Sequence, residues 1–323
     1  MPSRIAVIII NYETANLAIA AVESVLSRNH GGHSVEVHLL DNASPSGDAA
    51  ILSDAHAARS WGDRVRLWLE AENHGFGRGN NVVLRALADR ADPPDYVFLL
   101  NPDAQLENEA IAILADHLDR TPQAAAAGAG IALPSGVPVT AAFRFPSARS
   151  EFAQAMNFGP VSRVFHDRLV PLPADHPEGP VDWVAGAAVM MRFSVLRNLG
   201  GFDPIFFLYY EEVELMFRMR KSGLEILYVP QARVRHVEGA ATDVKSGGVR
   251  SRKPAYWYDS WRHYHVKTRG RAGAIAAGMA WMAGAALNTP LALLRRQERR
   301  TPKGFFGDFT RLVMRPLLFG FRS

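Results

Sequence analysis

Tyr96-Val97-Phe98-Leu99-Leu100-Asn101-Pro102-Asp103 is an apolar run of five that turns sharply polar and ends in a carboxylate. Its length and β-rich composition read as a strand buried on both faces. Three other stretches share its form: Ile5–Ile10 runs into Asn11 and Tyr12, Val35–Leu40 runs into Asp41 and Asn42, and Val65–Leu69 precedes a glycine-rich segment. Between them, periodicity predicts helices over Leu17–Ser27, Asn80–Ala88 and Asn108–Arg120. Alternating strands and helices build right-handed crossovers, and hence an α/β fold: a mostly parallel central sheet covered by helices on both sides. Ligands of such sheets bind beyond the carboxyl ends of the strands, which is where these polar residues collect.

Farther along, proline and glycine interrupt every period from Gly130 to Pro180, and the segment reads as loop with a hairpin. Order resumes at Val181–Arg192, followed by a helix over Tyr210–Ser222 and strands at Leu224–Val229 and Ala232–His236. The alanine run Ala124–Ala127 reads as a helix-to-strand packing surface.

The composition narrows the chemistry. A chain of 323 residues, 48% hydrophobic and 21% charged, is an ordinary globular protein with room for one large core or two modest ones. With no cysteine, any metal must sit on carboxylate, imidazole or carbonyl groups, which favours Mg2+ or Mn2+. The apolar run after Met1 is too early and too short for a signal peptide, so the expected location is cytoplasmic. Charge is uneven: Lys245–Ser323 carries 16 lysines and arginines against 3 acids, leaving a net −9 on residues 1–244. The expected division is a catalytic domain over 1–244 and a basic, amphipathic, helical region over 245–323.

Three clusters carry candidate chemistry. Asn101-Pro102-Asp103 places an acceptor at the sheet edge where a metal–diphosphate would lie, and reads equally as a helix-capping turn. In Asn73–Asn81, three glycines allow close backbone approach, Arg78 suits a phosphate, and a helix N-terminus favours an anion. A plain tight turn explains those glycines as well, and their spacing is not the Rossmann fingerprint. Tyr209-Tyr210-Glu211-Glu212-Val213-Glu214 puts three carboxylates in a first helical turn, favoured there by the dipole. The aromatic approach to them is an environment that raises a carboxylate toward the needs of a general base.

The ordered set Ile8–Tyr12, Leu40–Ser44, Asn73–Asn81, Asn101–Asp103, Trp183–Met191, Gly201–Asp203 and Glu211–Arg218 resembles the inverting family 2 glycosyltransferases, in particular the rhamnosyltransferase-like enzymes of bacterial surface-polysaccharide synthesis. The resemblance covers about Arg4 to His236 and implies a GT-A fold. It implies that Asp41 accepts from the nucleotide's pyrimidine with Tyr12 nearby, and that Asn11, Asn73, Gly75, Arg78 and Asn101 line the donor site. Asp103 matches the last carboxylate of a metal-binding Asp-x-Asp whose first position is Asn101, and His236 matches a metal-completing histidine. Glu212 matches the catalytic base, with Glu211 as the alternative because both usual aspartates of Glu-Asp-x-Asp are glutamates here. Trp183 stacks on sugar or acceptor, or is a core tryptophan.

The function so implied is metal-dependent transfer of a sugar, rhamnose or another hexose, from a dTDP or UDP donor to a hydroxyl of a glycan or lipid-linked acceptor. A non-catalytic nucleotide-sugar or polysaccharide-binding protein and a nucleotidyltransferase are the alternatives. For the tail, the uncharged stretch Ala272–Leu294 and the alternation of Phe305, Phe306, Phe309, Leu312, Val313 and Leu317 with Lys303, Arg311 and Arg315 suggest a peripheral helix on the inner face of the cytoplasmic membrane. A homodimer contact is the competing reading of the small-residue helix. Nucleic acid is not expected, because the aromatics follow a helical apolar face rather than a stacking surface.

Overall fold

The apolar runs become one side of a ten-stranded sheet. The computed structural model describes residues 2–236, 251–297 and 301–320, which form two compact units. Residues 2–143, 172–207 and 211–236 make the first; residues 144–171, 208–210 and the described residues beyond 250 make the second. The expected domain boundary between Val244 and Lys245 lies outside the described residues.

In the first unit, β1 (Arg4–Asn11), β2 (Ser34–Asp41), β3 (Val65–Leu69) and β4 (Tyr96–Leu100) are parallel, in the order β3-β2-β1-β4. Asn11 lies opposite Asp41 in the register, so the polar ends of β1 and β2 emerge level. The chain continues through β5 (Ala104–Leu106), β6 (Ala124–Ala132), β7 (Pro138–Val139), β8 (Ala142–Phe143), β9 (Gly179–Val181), β10 (Trp183–Val184), β11 (Ala188–Arg192) and β12 (Glu225–His236). Here the sheet changes character. Strand β11 is antiparallel to both β4 and β6, β12 runs parallel to β6, and β5 pairs antiparallel with β12.

Helices cover both faces because the strands present apolar side chains both ways. On one face α1 (Ala15–Leu26), α2 (Asp48–Ala58) and α4 (Ala110–Arg120) bury Val22, Leu52 and Leu114 against Ile5, Val7 and Ile9. On the other, α3 (Gly75–Ala88), α7 (Phe193–Asn198) and α8 (Glu211–Lys221) bury Leu84, Leu196 and Met216 against Ala6, Ile8 and Ile10. Helix α2 was not expected: only Asp48, Leu52 and Ala55 of it are buried, too few for a clear period. The two strands expected at the end of this unit are one, β12, which carries an irregularity between Val229 and Arg233.

The alanine run is a strand. Ala124–Ala127 form the start of β6 and are fully buried between β11 and β12, a central position that overrides alanine's low strand propensity. The small side chains are required by what lies above: a Cβ on Gly128 would fall 2.4 Å from the Cβ of Val184 in β10.

The second unit is helical: α5 (Ala148–Met156), α6 (Gly159–Val164), α9 (Ala255–Leu294), α10 (Phe305–Phe309) and α11 (Arg315–Phe319). Helix α9 is broken at Gly270, whose φ of 71° and ψ of 170° end one helical segment and begin another. The small residues of its second segment are covered within the unit: a Cβ on Gly278 would meet Met314 at 2.6 Å, and one on Gly284 would meet the Phe152 carbonyl at 2.6 Å. The apolar face expected to meet lipid is likewise internal. Phe305, Phe309, Val313 and Leu317 are buried with Tyr258 and Trp261, and of the expected set only Phe306 is exposed. A sequence period marks a buried face without saying whether protein or lipid buries it.

Substituting alanine at Gly128 should overpack β6 against Val184 and cost about 1–3 kcal/mol. Urea denaturation should show a lower midpoint with an unchanged slope.

Candidate active site

Asn11 ties the ends of β1 and β2 together. Its Nδ2 donates to Asp41 Oδ1 and to Asp48 Oδ2, both at 2.8 Å, and its Oδ1 accepts from the Thr14 hydroxyl. Asp41 is buried and also accepts from the Ser44 hydroxyl at 2.7 Å and, through Oδ2, from the Ser44 N–H at 3.2 Å. That leaves Oδ2 with spare acceptor capacity. Sequence reasoning missed Asp48. Burial pushes its carboxyl up, but hydrogen bonds from Asn11, Ser46 and the Ala15 N–H outweigh it and hold the group below the usual range. The signal was available in Ser46-Gly47-Asp48, a helix-start sequence. Tyr12, next to Asn11, is partly exposed.

The neighbouring Asn42 fixes the glycine-rich segment. Its Nδ2 donates to Asn73 Oδ1 and to the Gly75 carbonyl, both at 3.1 Å, and its Oδ1 accepts from the His74 N–H at 2.9 Å. The segment is not a loop leading to a helix at Asn80, because α3 begins at Gly75 and the glycines form its first turn. Gly75 has φ +70°, and a Cβ there would lie 1.8 Å from the Phe207 carbonyl. At Gly77 a Cβ would meet Phe202 at 3.1 Å and the Cβ of Glu211 at 3.3 Å. The glycines are thus explained first by close packing of chain against chain. Arg78 donates to the His74 carbonyl at 2.8 Å and lies over the Phe207 ring, 5.5 Å from its centroid. One helical turn on, Asn81 holds Phe202 by two bonds, accepting from its N–H at 2.9 Å and donating to its carbonyl at 2.7 Å.

The acidic helix brings its three glutamates to different fates. Glu214 is buried and paired with Arg218 at 2.8 and 3.0 Å, and Arg218 donates onward to the carbonyls of Leu199 and Gly201. Its role is to anchor α8. Glu211 is buried beside Gly77, and Glu212, partly exposed, lies 3.4 Å from where a Cβ on Gly186 would stand. In each, Oε2 is buried with no hydrogen-bond partner. Burial, with the Glu212 charge adding to it, pushes the Glu211 carboxyl well above the ordinary range, and burial raises Glu212 as well.

At the far side of the same edge, His236 ends β12 and Asp103 precedes β5. The imidazole Nε2 lies 2.9 Å from Asp103 Oδ1, and Asn101 Nδ2 lies 3.4 Å from that nitrogen. Residues 133 apart in sequence are therefore in contact. A carboxylate and an imidazole in contact are two ligands of the kind a divalent cation such as Mg2+ or Mn2+ takes, while Asn101 turns its amide nitrogen, not its oxygen, toward them. Among the described residues no three His, Asp or Glu side chains cluster, so further ligands would come from solvent or substrate oxygens. The connection to α8 is short: the Asn101 N–H donates to the Ala187 carbonyl at 2.9 Å, and Gly186 packs on Glu212. Trp183 begins the same segment and stacks on Phe143, centroids 4.0 Å apart and planes 13° from parallel, while remaining partly exposed.

An α/β sheet that runs parallel and then switches at an antiparallel strand is a fold this chain shares with GT-A glycosyltransferases. The fold of a Pyrobaculum calidifontis mannosyltransferase, solved with GDP-Man and Mn2+, matches 92% of this chain and 79% of that one with a TM-score of 0.53 at 15% identity. Residues 2–258 match the family model "Glycosyltransferase like family 2", and the chain belongs to that family. It is 31% identical over 244 residues, 71% of this chain and 76% of the relative, to the N-acetylglucosaminyl-diphospho-decaprenol L-rhamnosyltransferase of Mycobacterium tuberculosis. It is 25% identical to the rhamnosyltransferase WbbL of Escherichia coli over 49% of this chain and 58% of that one.

The raised Glu211 carboxyl makes a stability prediction. A folded-state value above the ordinary 4.5 means that folding favours the protonated form, so that contribution is present below the ordinary value and lost as pH rises through the folded one. Glu211→Gln, which cannot ionise, should raise Tm relative to the parent at about pH 8 and not at about pH 4. Thermal unfolding across pH checks both the gain and its disappearance.

Proposed function

We propose that this glycosyltransferase moves a hexose, with rhamnose the favoured sugar, from a dTDP or UDP donor to a hydroxyl of a glycan or lipid-linked acceptor, inverting the anomeric centre. The observation that carries the proposal is the pair Glu211 and Glu212, each with an unpartnered buried oxygen, joined through Gly186, Ala187 and Asn101 to the Asp103–His236 pair. The name of the M. tuberculosis relative supports both rhamnose and a lipid-linked acceptor.

The partly exposed Glu212 takes the acceptor hydroxyl's proton as that oxygen bonds to the anomeric carbon and the carbon's bond to the diphosphate oxygen breaks. Burial helps by keeping the base's affinity for a proton high. Glu211, fully buried, is the alternative base. Asp41 offers its spare Oδ2 lone pair to the pyrimidine, and Arg78 stands at the start of α3 to meet the diphosphate once its bond to His74 is exchanged. Asp103 and His236 would hold Mg2+ or Mn2+, which would supply positive charge to the leaving diphosphate, and Asn101 would line the donor site beside them. Trp183, partly exposed, would stack on the sugar or acceptor.

The location we propose is the inner face of the cytoplasmic membrane. Helix α9 is long and apolar enough to cross a bilayer by length and composition, but its first segment carries Arg262, Lys267 and Arg269. Peripheral binding fits better. Met279, Leu287, Leu293 and Leu294 are exposed, fall within one 120° stripe at about 100° per residue, and are followed by exposed Arg295 and Arg296, complementary to an anionic leaflet.

Glu212→Gln should lower transfer by about two to four orders of magnitude with little change in donor affinity. Asp103→Asn should abolish the Mn2+ dependence of nucleoside-diphosphate binding while the fold persists. Donor-hydrolysis and thermal-shift assays over a panel of nucleotide sugars, with and without Mn2+, read both. No hydrolysis of any donor by the parent would support a binding protein instead, and a dead Glu211→Gln beside an active Glu212→Gln would move the base by one residue.

Liposomes test the location. The full chain should sediment with vesicles containing phosphatidylglycerol and be released as salt rises, and Leu293→Glu with Leu294→Glu should abolish binding. A dimer that ignores vesicles would overturn the membrane reading.

A further inference from the structure

We infer that one stripe of α9, with Ser260 as its central positioning residue, holds the three residues that lead into the acid pair and so fixes the backbone from which that pair starts. The inference rests on the reading of Glu211 and Glu212 as the base pair.

The residues concerned are Leu208, Tyr209 and Tyr210. They belong to the second unit although Phe207 before them and Glu211 after them belong to the first. Both tyrosines have positive φ, 71° and 70°. A bulky side chain in that region is strained, and two in succession persist only where the surroundings over-determine them.

The surroundings are three residues of α9. The buried Ser260 hydroxyl donates to the Leu208 carbonyl at 2.9 Å. Tyr256 stacks on Tyr209, with centroids 6.3 Å apart and planes 20° from parallel, and Tyr264 lies 5.2 Å from Tyr210. Tyr256, Ser260 and Tyr264 are spaced by four, so one helical face takes hold of three successive residues of a bent segment.

Helix α8 begins at the next residue, Glu211. The backbone angles of Tyr210 therefore aim the first turn of α8 and both carboxylates on it. Displacement of a base by about 1 Å is enough to slow a reaction by as much as a hundredfold. The grip thus acts on turnover while the donor's own contacts, at Asp41 and Asp103, are untouched. The strain in the two tyrosines is the reason a grip is needed: released, the segment relaxes toward ordinary angles and takes the start of α8 with it.

The test uses the full chain with Ser260→Ala, which removes the donor, and Tyr256→Ala, which removes the neighbouring ring. Kinetics are measured with dTDP-rhamnose and UDP-hexoses, and hydrogen exchange is followed over residues 208–215. Each variant should lower kcat about tenfold or more with donor KM unchanged, and should speed exchange over 208–215 while exchange over Ile5–Ile10 stays at the parent rate. Parent kcat in both variants, or a loss in donor KM rather than kcat, would overturn the inference. If the parent turns over no nucleotide sugar, the glycosyltransfer reading itself has failed. Exchange then decides the grip alone, and parent-like exchange in both variants would overturn it.

Discussion

Everything at the candidate site depends on the antiparallel strand β11 lying between β4 and β6. Its pairing with β4 puts Ala188 opposite Leu100, and the chain leading into it accepts the Asn101 N–H at Ala187. That bond fixes two things at once. It holds the turn carrying Asn101 and Asp103 beyond the end of β4, and it presents Gly186 as the surface on which Glu212 rests. A fully parallel sheet would bring a crossover helix to this edge, and the acid helix and the histidine strand would lose their common neighbour.

Polar groups at this edge are organised by amides rather than by charges. Asn11, Asn42 and Asn81 each bridge two pieces of chain, and each uses both ends of its side chain. An amide offers donors and an acceptor without the desolvation cost of an ion, which suits buried junctions. Among the acids of α8, Glu214 is the one whose pairing with Arg218 secures the helix that carries the other two.

The sequence announces the parallel half of the fold clearly, because β1 and β4 are unbroken apolar runs, β2 and β3 keep a β-rich composition around Glu36, His38 and Arg66, and α1 and α4 have apolar periods. Asp103 and His236 are 133 residues apart and no spacing rule links them, so only resemblance to a family put them together. The glycines of α3 misled because glycine announces permitted backbone without saying what occupies the space; here Phe207 and Phe202 do. Residues 144–171 fold as helices in the second unit, where α5 has a Ser147–Ser150 capping box that the surrounding prolines concealed. The tail's aromatic pattern was legible as a buried face, and the protein supplies the burial itself.

The three glycines at the start of α3 also grade the freedom of this segment to drift. At 75 a new side chain meets a backbone carbonyl at 1.8 Å, and nothing there can yield. At 77 it meets side chains at 3.1 and 3.3 Å, which can give by a few tenths of an ångström, and at 79 it meets ordinary contacts from 3.4 Å outward. Substitutions accumulated by neutral change should therefore thin out toward the N-terminal end of the helix, so the residue with least side chain is the one under most restraint.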